Sequence, residues 1–149
     1  MKVTFSDPMK AQLPEFSDEI RQAVLNFVAH VKEHGLIGLQ GRNKSSVPDN
    51  VYTKKERVNY AYAQKHCLWH YHISIPCYIG EDGDMTSEYI LHYQRFDEEI
   101  VIVSLAAHPP FELPVLKTNH ATTSLQKLSK VVMVWCVRVC VDDIYHLIF

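Results

Sequence analysis

The sequence predicts an α+β domain in which a twisted antiparallel sheet packs on one main amphipathic helix, with an additional C-terminal segment. Three consecutive segments between residues 68 and 105 are rich in aromatic and β-branched residues and are separated by turns, which indicates a strand meander. Residues 17–35 instead place apolar side chains at every third or fourth position, as a helix with one buried face does. A chain of 149 residues can form one domain with a sizeable core, and we expect residues 1–114 to form it and residues 115–149 to extend it.

Before the meander, the sequence predicts one short strand and one long helix. Lys2–Phe5 alternates as a strand does. Ser17 suits the N-cap of the helix, and Gly35 suits the left-handed residue that ends it. Residues 38–50 contain turn-forming residues and are predicted to be a loop. Val58–Lys65 fits a strand or a short helix, and we favour the strand.

The meander is predicted to consist of Leu68–Ile75, Ser87–Arg95 and Ile100–Leu105. Successive side chains of a strand point to opposite faces of the sheet. The alternation in the first segment therefore places His70 and His72 together on one face and large apolar groups on the other. The third segment is apolar on both sides, as expected for a strand that is covered on both faces.

Composition and charge narrow the class of protein. Apolar residues make up 47% of the chain and charged residues 21%, which are ordinary values for a globular protein and argue against wholesale disorder. The formal net charge of -2 gives no general attraction to nucleic acid and argues mildly against a non-specific phosphate binder. Nine histidines make this charge sensitive to pH near neutrality.

The cysteines and the longest apolar run indicate in which cellular compartment the protein is expected. Four cysteines without a CxxC pair are expected to be reduced thiols, and the N-terminal residues do not look like a secretory signal. Val131–Val141, which contains Cys136 and Cys140, is too short and too charged for a membrane span and is predicted to be a strand. We therefore expect a cytoplasmic protein that does not associate with a membrane.

The order of the elements, together with the residues that form them, resembles the RelE/ParE superfamily of bacterial toxins. The similarity covers about residues 1–112 and rests on five stretches, Val3–Asp7, Leu13–Glu15, Leu68–Ile73, Tyr89–Tyr93 and Ile100–His108. Gly41-Arg42-Asn43 and the His-x-His pair are most similar to YafO-type members. The chain departs from the superfamily because it is not basic, and because it carries His70 and His72 where many members have arginine.

This resemblance implies a RelE/ParE-like α+β domain whose sheet has a positively lined concave face. Such toxins are commonly ribosome-dependent endoribonucleases that cut mRNA and are held inactive by a cognate antitoxin, whereas ParE-type members inhibit DNA gyrase. The resemblance therefore implies the toxin of a type II toxin–antitoxin pair, an mRNA interferase whose partners are an antitoxin protein and mRNA on the ribosome. It leaves open whether the protein forms a homodimer.

Cleavage of RNA through attack of its 2′-hydroxyl group needs a base, an acid and a cation near the phosphate. We predict that His92 and His108 supply the base and the acid and that Arg95 stabilises the developing charge. Antiparallel neighbours lie ~5 Å apart, so His70 and His72 can converge on the same site. This chemistry uses no metal ion or other cofactor. RNA is predicted to be bound by Arg42, Lys44, Lys54, Lys55 and Arg57 at the phosphates and by Tyr93 at a base.

Three alternatives stay open. In one, the protein is a non-catalytic binding toxin of the same fold, which inhibits DNA gyrase or another protein. In another, His70, His72 and His92 bind zinc, although the sequence offers no evident fourth ligand. In the third, the strand histidines are half-exposed surface residues without a catalytic role.

Overall fold

The computed structural model describes residues 1–116, which form an α+β fold with a five-stranded mixed sheet and three α-helices. The strands are β1 (Lys2–Phe5), β2 (Asn43–Ser45), β3 (Leu68–His72), β4 (Tyr89–Arg95) and β5 (Glu99–Ala107). The helices are α1 (Asp7–Gln12), α2 (Asp18–His34) and α3 (Lys54–Lys65), with a 3₁₀ turn at Leu13–Glu15. The predicted α+β class is confirmed, and the order of strands across the sheet is β1-β5-β4-β3-β2.

The sheet is mixed rather than antiparallel throughout, which corrects the prediction. β3, β4 and β5 form the predicted antiparallel meander, and β2 pairs antiparallel with β3 at one edge. β1 lies at the other edge and is parallel to β5, with Lys2 opposite Glu99 and Phe5 opposite Ile102. Parallel neighbours need a long connection, which is provided here by all the elements between β1 and β5.

α2 covers one face of the sheet, and both of its predicted ends are confirmed. The Ser17 hydroxyl accepts a hydrogen bond from the N–H of Ile20 at 3.4 Å, and Gly35 follows the helix with a φ of 68°. The buried side chains of α2 are those of Val24, Phe27, Val28 and Val31. They pack in the main core with inward side chains of the central strands, among them Tyr71, Leu91, Tyr93, Ile100 and Ile102.

α3 occupies a stretch for which the sequence favoured a strand, so that prediction was wrong. Its N-terminus is a reciprocal cap, in which the N–H of Glu56 donates to the Thr53 hydroxyl at 3.1 Å and the N–H of Thr53 donates to the Glu56 carboxylate at 2.6 Å. This capping box is readable in the sequence as Thr-x-x-Glu. The apolar pattern is weaker evidence, because the helix buries only Ala63. The prediction of a loop at residues 38–50 was also wrong in part, because β2 lies within that range.

The opposite face of the sheet is covered by α3 and by the segment of residues 108–116 that follows β5. A small second core on this face consists of Ala63, Leu68 and Val103, with Val47, Tyr62, Val101, Leu113 and Leu116 packed around it. The Tyr62 hydroxyl donates to the carbonyl oxygen of Pro114 at 3.1 Å and accepts from the N–H of Leu116 at 2.9 Å. Tyr62 therefore ties the segment to α3.

The predictions for the C-terminal region lie mostly beyond this fold. The strand predicted at Val131–Val141, with Cys136 and Cys140, falls outside the described residues, as does all but the start of the predicted extension. Within residues 1–116, no helix is both long enough and apolar enough to cross a membrane.

Candidate functional site

Four of the predicted histidines come together on the sheet face opposite α2, and we call His70, His72, His92 and His108 the histidine cluster. His70 and His92 are directly opposite each other on β3 and β4, and their ring centroids lie 6.5 Å apart. His72 follows two positions after His70 on the same face, with the ring centroids 6.2 Å apart. His108 follows β5, and its ring lies 5.4 Å from that of His72. The strand period and the pairing of β3 with β4 therefore bring His70, His72 and His92 together, and His108 joins them from beyond the end of β5.

His92 is sealed inside the cluster. Its exposed fraction is 0%, and neither ring nitrogen has a hydrogen-bond partner among residues 1–116. The ring of Phe111 lies 5.8 Å from it. Burial, together with the nearby His108, lowers the pKa of His92 to about 4, so the imidazole is neutral at neutral pH. In this conformation His92 does not touch the surface, and the role of base or acid predicted for it has no access to RNA.

His70 and His72 are each held at one ring nitrogen. Nδ1 of His70 lies 3.1 Å from the Ser46 hydroxyl oxygen. Nδ1 of His72 accepts a hydrogen bond from the N–H of Ser87 at 3.0 Å and lies 3.1 Å from the Ser87 carbonyl oxygen. These contacts orient both rings, and they leave Nε2 as the nitrogen that is available to a ligand.

Burial also lowers the pKa of His70 and His72. The pKa of His70 falls to about 3, mainly because of burial, with a further contribution from His92. The pKa of His72 is lowered mainly by burial, while its hydrogen bond to the backbone of Ser87 acts in the opposite direction. Both imidazoles are therefore neutral at neutral pH.

A cleft of about 390 Å³ lies beside the histidine cluster. His70, His72 and His108 line it, together with residues of β2, α3 and the segment 108–116. At one end, the main-chain N–H of His72 donates to the carbonyl oxygen of Arg42 at 3.0 Å, and Arg42, His72 and His108 all line the cleft. At the other end, Val47 and Leu113 pack on the second core. The cleft therefore has one polar and one apolar end.

The two cations that line the cleft are each paired with an acid. Arg42 forms a bidentate ion pair with Asp84, with Nε 2.6 Å and Nη2 2.8 Å from the two carboxylate oxygens. The hydrogen bond to Asp84 raises the pKa of Arg42, and the same bond lowers the pKa of Asp84. Lys44 lies 3.3 Å from the carboxylate of Asp49. The positive charge at this end of the cleft is therefore largely balanced.

The structure does not bring Arg95 and Tyr93 to the histidine cluster. Both lie at odd positions of β4, so their side chains point to the face that α2 covers, opposite that of His92. The guanidinium of Arg95 lies 4.3 Å from the centre of the Trp69 ring, which packs on the main core. Arg95 therefore cannot stabilise charge at a site that His92 and His108 form.

Tyr93 has an exposed fraction of 0% and lies in the main core. Its hydroxyl donates to the side-chain oxygen of Asn43 at 2.8 Å. Burial raises its pKa, so the phenol stays protonated. With no exposed surface, Tyr93 cannot stack on a base as predicted.

Of the other predicted RNA-binding residues, Arg42 and Lys44 line the cleft, whereas Lys54, Lys55 and Arg57 do not. The latter three are exposed on α3, whose side toward the cleft is formed by Glu56 and Asn59. The difference arises from the helical period, which turns neighbouring residues of α3 in different directions.

Several residues of the site were not predicted from the sequence, namely Ser46, Asn59, Asp84, Ser87 and Phe111. Phe111 has the most contacts with the predicted residues, since its ring lies 4.9 Å from that of His70 and 5.8 Å from those of His92 and His108. A Pro-Pro pair before Phe111 indicates the end of a strand but gives no direction to the chain that follows. The contact is therefore decided by tertiary structure.

The zinc alternative finds no support within residues 1–116, where no group of three or more His, Cys, Asp or Glu residues has an arrangement that fits a metal ion. The ring centroids of neighbouring imidazoles in the histidine cluster lie 5.4 Å to 6.5 Å apart.

No protein-family model, no curated protein and no solved structure matches the chain. The resemblance to the RelE/ParE superfamily therefore stays a prediction.

Proposed function

We propose that the protein is an endoribonuclease that cleaves RNA without a metal ion, and that the polar end of the cleft is its catalytic centre. The observation that carries this proposal is the pair formed by His72 and His108, whose rings lie 5.4 Å apart in a cleft that Arg42 also lines. Two imidazoles and a guanidinium are the groups that metal-independent RNA cleavage uses.

In the proposed reaction, the 2′-oxygen of a ribose attacks the adjacent phosphorus and the bond from phosphorus to the 5′-oxygen breaks. His72 is the base that takes the 2′-hydroxyl proton, because its lowered pKa keeps it unprotonated at neutral pH. His108 donates a proton to the leaving 5′-oxygen. The products are a 2′,3′-cyclic phosphate and a 5′-hydroxyl group. His72 thus replaces His92 in the role that the sequence suggested.

Arg42 supplies the positive charge in place of Arg95. A guanidinium has five N–H donors, and the ion pair with Asp84 engages Nε and Nη2. The remaining donors of Arg42 are free to bind phosphate oxygens, while Asp84 holds the plane of the group in position. Lys44 adds a second cation on the same side of the cleft.

The biological setting of the proposal comes from the resemblance. An RNA-cleaving domain with this order of elements fits the toxin of a type II toxin–antitoxin pair that acts on mRNA in the ribosome and is inhibited by an antitoxin protein. The chemistry of the cleft does not depend on that setting, so the two parts of the proposal are tested separately.

The test is cleavage of a defined mRNA by purified protein, with and without translating ribosomes and in the presence of EDTA. We expect products with 2′,3′-cyclic phosphate and 5′-hydroxyl ends. His72→Gln and His108→Gln are each expected to slow cleavage by about 100-fold or more. His34→Gln is the matched control, since His34 is exposed on α2 and far from the cleft. Equal rates for all four proteins would remove the catalytic centre.

A second candidate is a non-catalytic binding toxin, such as a DNA gyrase inhibitor. The observation that favours it is that His70, His72 and His92 are all buried while both cations of the cleft are paired with acids. Such a surface is compatible with a purely structural histidine cluster. An absence of RNA cleavage with ribosomes, combined with trapped gyrase–DNA complexes, would favour this candidate over the nuclease.

A further inference from the structure

The apolar end of the cleft differs in chemistry from the catalytic end. Val47 and Leu113 form its walls and pack on the second core, and Pro48 also lines it. The cations Arg42 and Lys44 belong to the other end. A ligand that matches the whole cleft therefore combines an anionic group with a flat apolar group, as a nucleotide does.

Phe111 lies between the two ends and offers a flat surface. Its side chain packs against His70 at 4.9 Å, and its exposed fraction is nevertheless 40%. An aromatic ring that is held by neighbouring rings and is still partly exposed is suited to stacking with a planar ligand. Aromatic stacking of this kind binds the bases of single-stranded nucleic acid.

Asn59 is the polar group on the α3 side of the cleft. It is half-buried, and its carboxamide makes no hydrogen bond to another residue of the described range. The neighbouring acid, Glu56, has its carboxylate engaged by the N–H groups of Tyr52 and Thr53. Asn59 therefore has a donor and an acceptor available, which is what pairing with the edge of a base requires.

We propose that the part of the cleft lined by Phe111 and Asn59 is a nucleobase subsite. In it, an unpaired base stacks on Phe111, and the edge of the base pairs with the carboxamide of Asn59. The inference rests on the proposed function, because it takes the phosphate of the same nucleotide to lie beside Arg42 and Lys44. It defines the substrate class as single-stranded RNA, since a base inside a duplex has neither its face nor its pairing edge free.

The first experiment measures what the base contributes to binding. Calorimetric titration compares adenosine, guanosine, cytidine and uridine monophosphates with ribose 5-phosphate, which has the phosphate but no base. We expect at least one nucleotide to bind about tenfold more tightly than ribose 5-phosphate. Phe111→Leu is expected to remove most of this advantage. Phe96→Leu is the matched control, since Phe96 has an exposed fraction of 37% and does not line the cleft.

The second experiment measures discrimination between bases. Asn59→Leu keeps the approximate size of the side chain and removes its hydrogen bonds, so we expect the ratio between the best and the worst of the four nucleotides to fall by about fivefold or more. Asn26→Leu, an exposed position on α2, is expected to leave the ratio unchanged. Equal binding of all four nucleotides and ribose 5-phosphate to the unchanged protein would overturn the subsite, and so would variants at Phe111 and Asn59 that bind like the unchanged protein.

The two proposals fail in different ways. Base-dependent binding of nucleotides by a protein that does not cleave RNA would refute the nuclease and support the subsite. Cleavage of RNA that depends on His72 and His108 but not on Phe111 or Asn59 would support the nuclease and overturn the subsite.

Discussion

His70 and His92 face each other on adjacent strands with their ring centroids 6.5 Å apart, and both rings lie against Phe111. Burial is the main reason that the pKa of each is lowered, to about 3 for His70 and about 4 for His92. Two imidazolium ions at this separation would repel each other and lack water, so the packing requires the neutral forms. The stability of the packed histidine cluster therefore depends on pH.

Lowering the pH is expected to reduce the free energy of unfolding, and this loss begins at pH values well above those at which carboxylates titrate. A histidine whose pKa is lowered from 6.5 by folding binds fewer protons in the folded state than in the unfolded state, so stability falls as pH drops below about 6.5. The loss ends once the pH has passed the folded pKa, about 4 for His92 and about 3 for His70. Between pH 6 and pH 4, each of the two is expected to lower the free energy of unfolding by about 1 kcal/mol per pH unit.

Urea unfolding at pH 7, 6 and 5 measures this dependence. His34→Gln, at an exposed position, is expected to leave the slope unchanged. A free energy of unfolding that is constant from pH 7 to pH 5 would show that the buried histidines have unperturbed pKa values.

Replacement of His92 by leucine is expected to leave the protein as stable at pH 7 or to stabilise it by about 1 kcal/mol. The substitution removes two ring nitrogens that have no hydrogen-bond partner among the described residues, and it retains much of the apolar volume. His92→Ala, by contrast, leaves a cavity and is expected to cost about 2 kcal/mol or more. Chemical denaturation of the two variants separates the effects. A leucine variant as unstable as the alanine variant would mean that the imidazole itself makes a stabilising contact.

RNA binding is expected to respond to Arg42 and Asp84 in opposite directions. Arg42→Gln removes one phosphate contact, so affinity falls, and the slope of log K against log salt decreases by about 0.7 for a single strand. Asp84→Asn removes the acid that balances Arg42 and is expected to raise affinity about twofold to fivefold. Fluorescence anisotropy at several salt concentrations measures both effects. Arg57→Gln is the control on α3, and an effect of Arg57 as large as that of Arg42 would place the RNA on the exposed side of that helix.

The capping box of α3 is expected to contribute measurably to stability. Thr53→Ala removes the hydroxyl that accepts from the N–H of Glu56 and should lower the free energy of unfolding by about 1 kcal/mol. Thermal unfolding monitored by circular dichroism reports the change. Lys54→Ala, one residue further along and exposed, is expected to have an effect below about 0.5 kcal/mol. Similar losses for both variants would indicate that the helix end, and not the cap, is sensitive to substitution.

The parts of the fold that were predicted correctly are those with local signals. The ends of α2 follow from Ser17 and Gly35, whose effects act within one helical turn. The shared face of His70 and His72 follows from the two-residue period of a strand. α3 carries a local signal as well, the Thr53 and Glu56 capping box, although its apolar pattern indicates a helix only weakly. Secondary structure was therefore largely readable where short-range contacts decide it.

The sequence by itself determined the α+β class, the main helix, the strands of the meander and the shared face of His70 and His72, because each depends on spacing within single elements. Only the tertiary structure decided that β1 is parallel to β5, that Phe111 covers His92, and that Arg42 is paired with Asp84. The last pair is separated by 42 residues in the chain, and such contacts depend on where the chain returns and not on any local pattern. For the same reason, a residue type suggests what a side chain can do, whereas its burial and its partners decide whether a ligand can reach it.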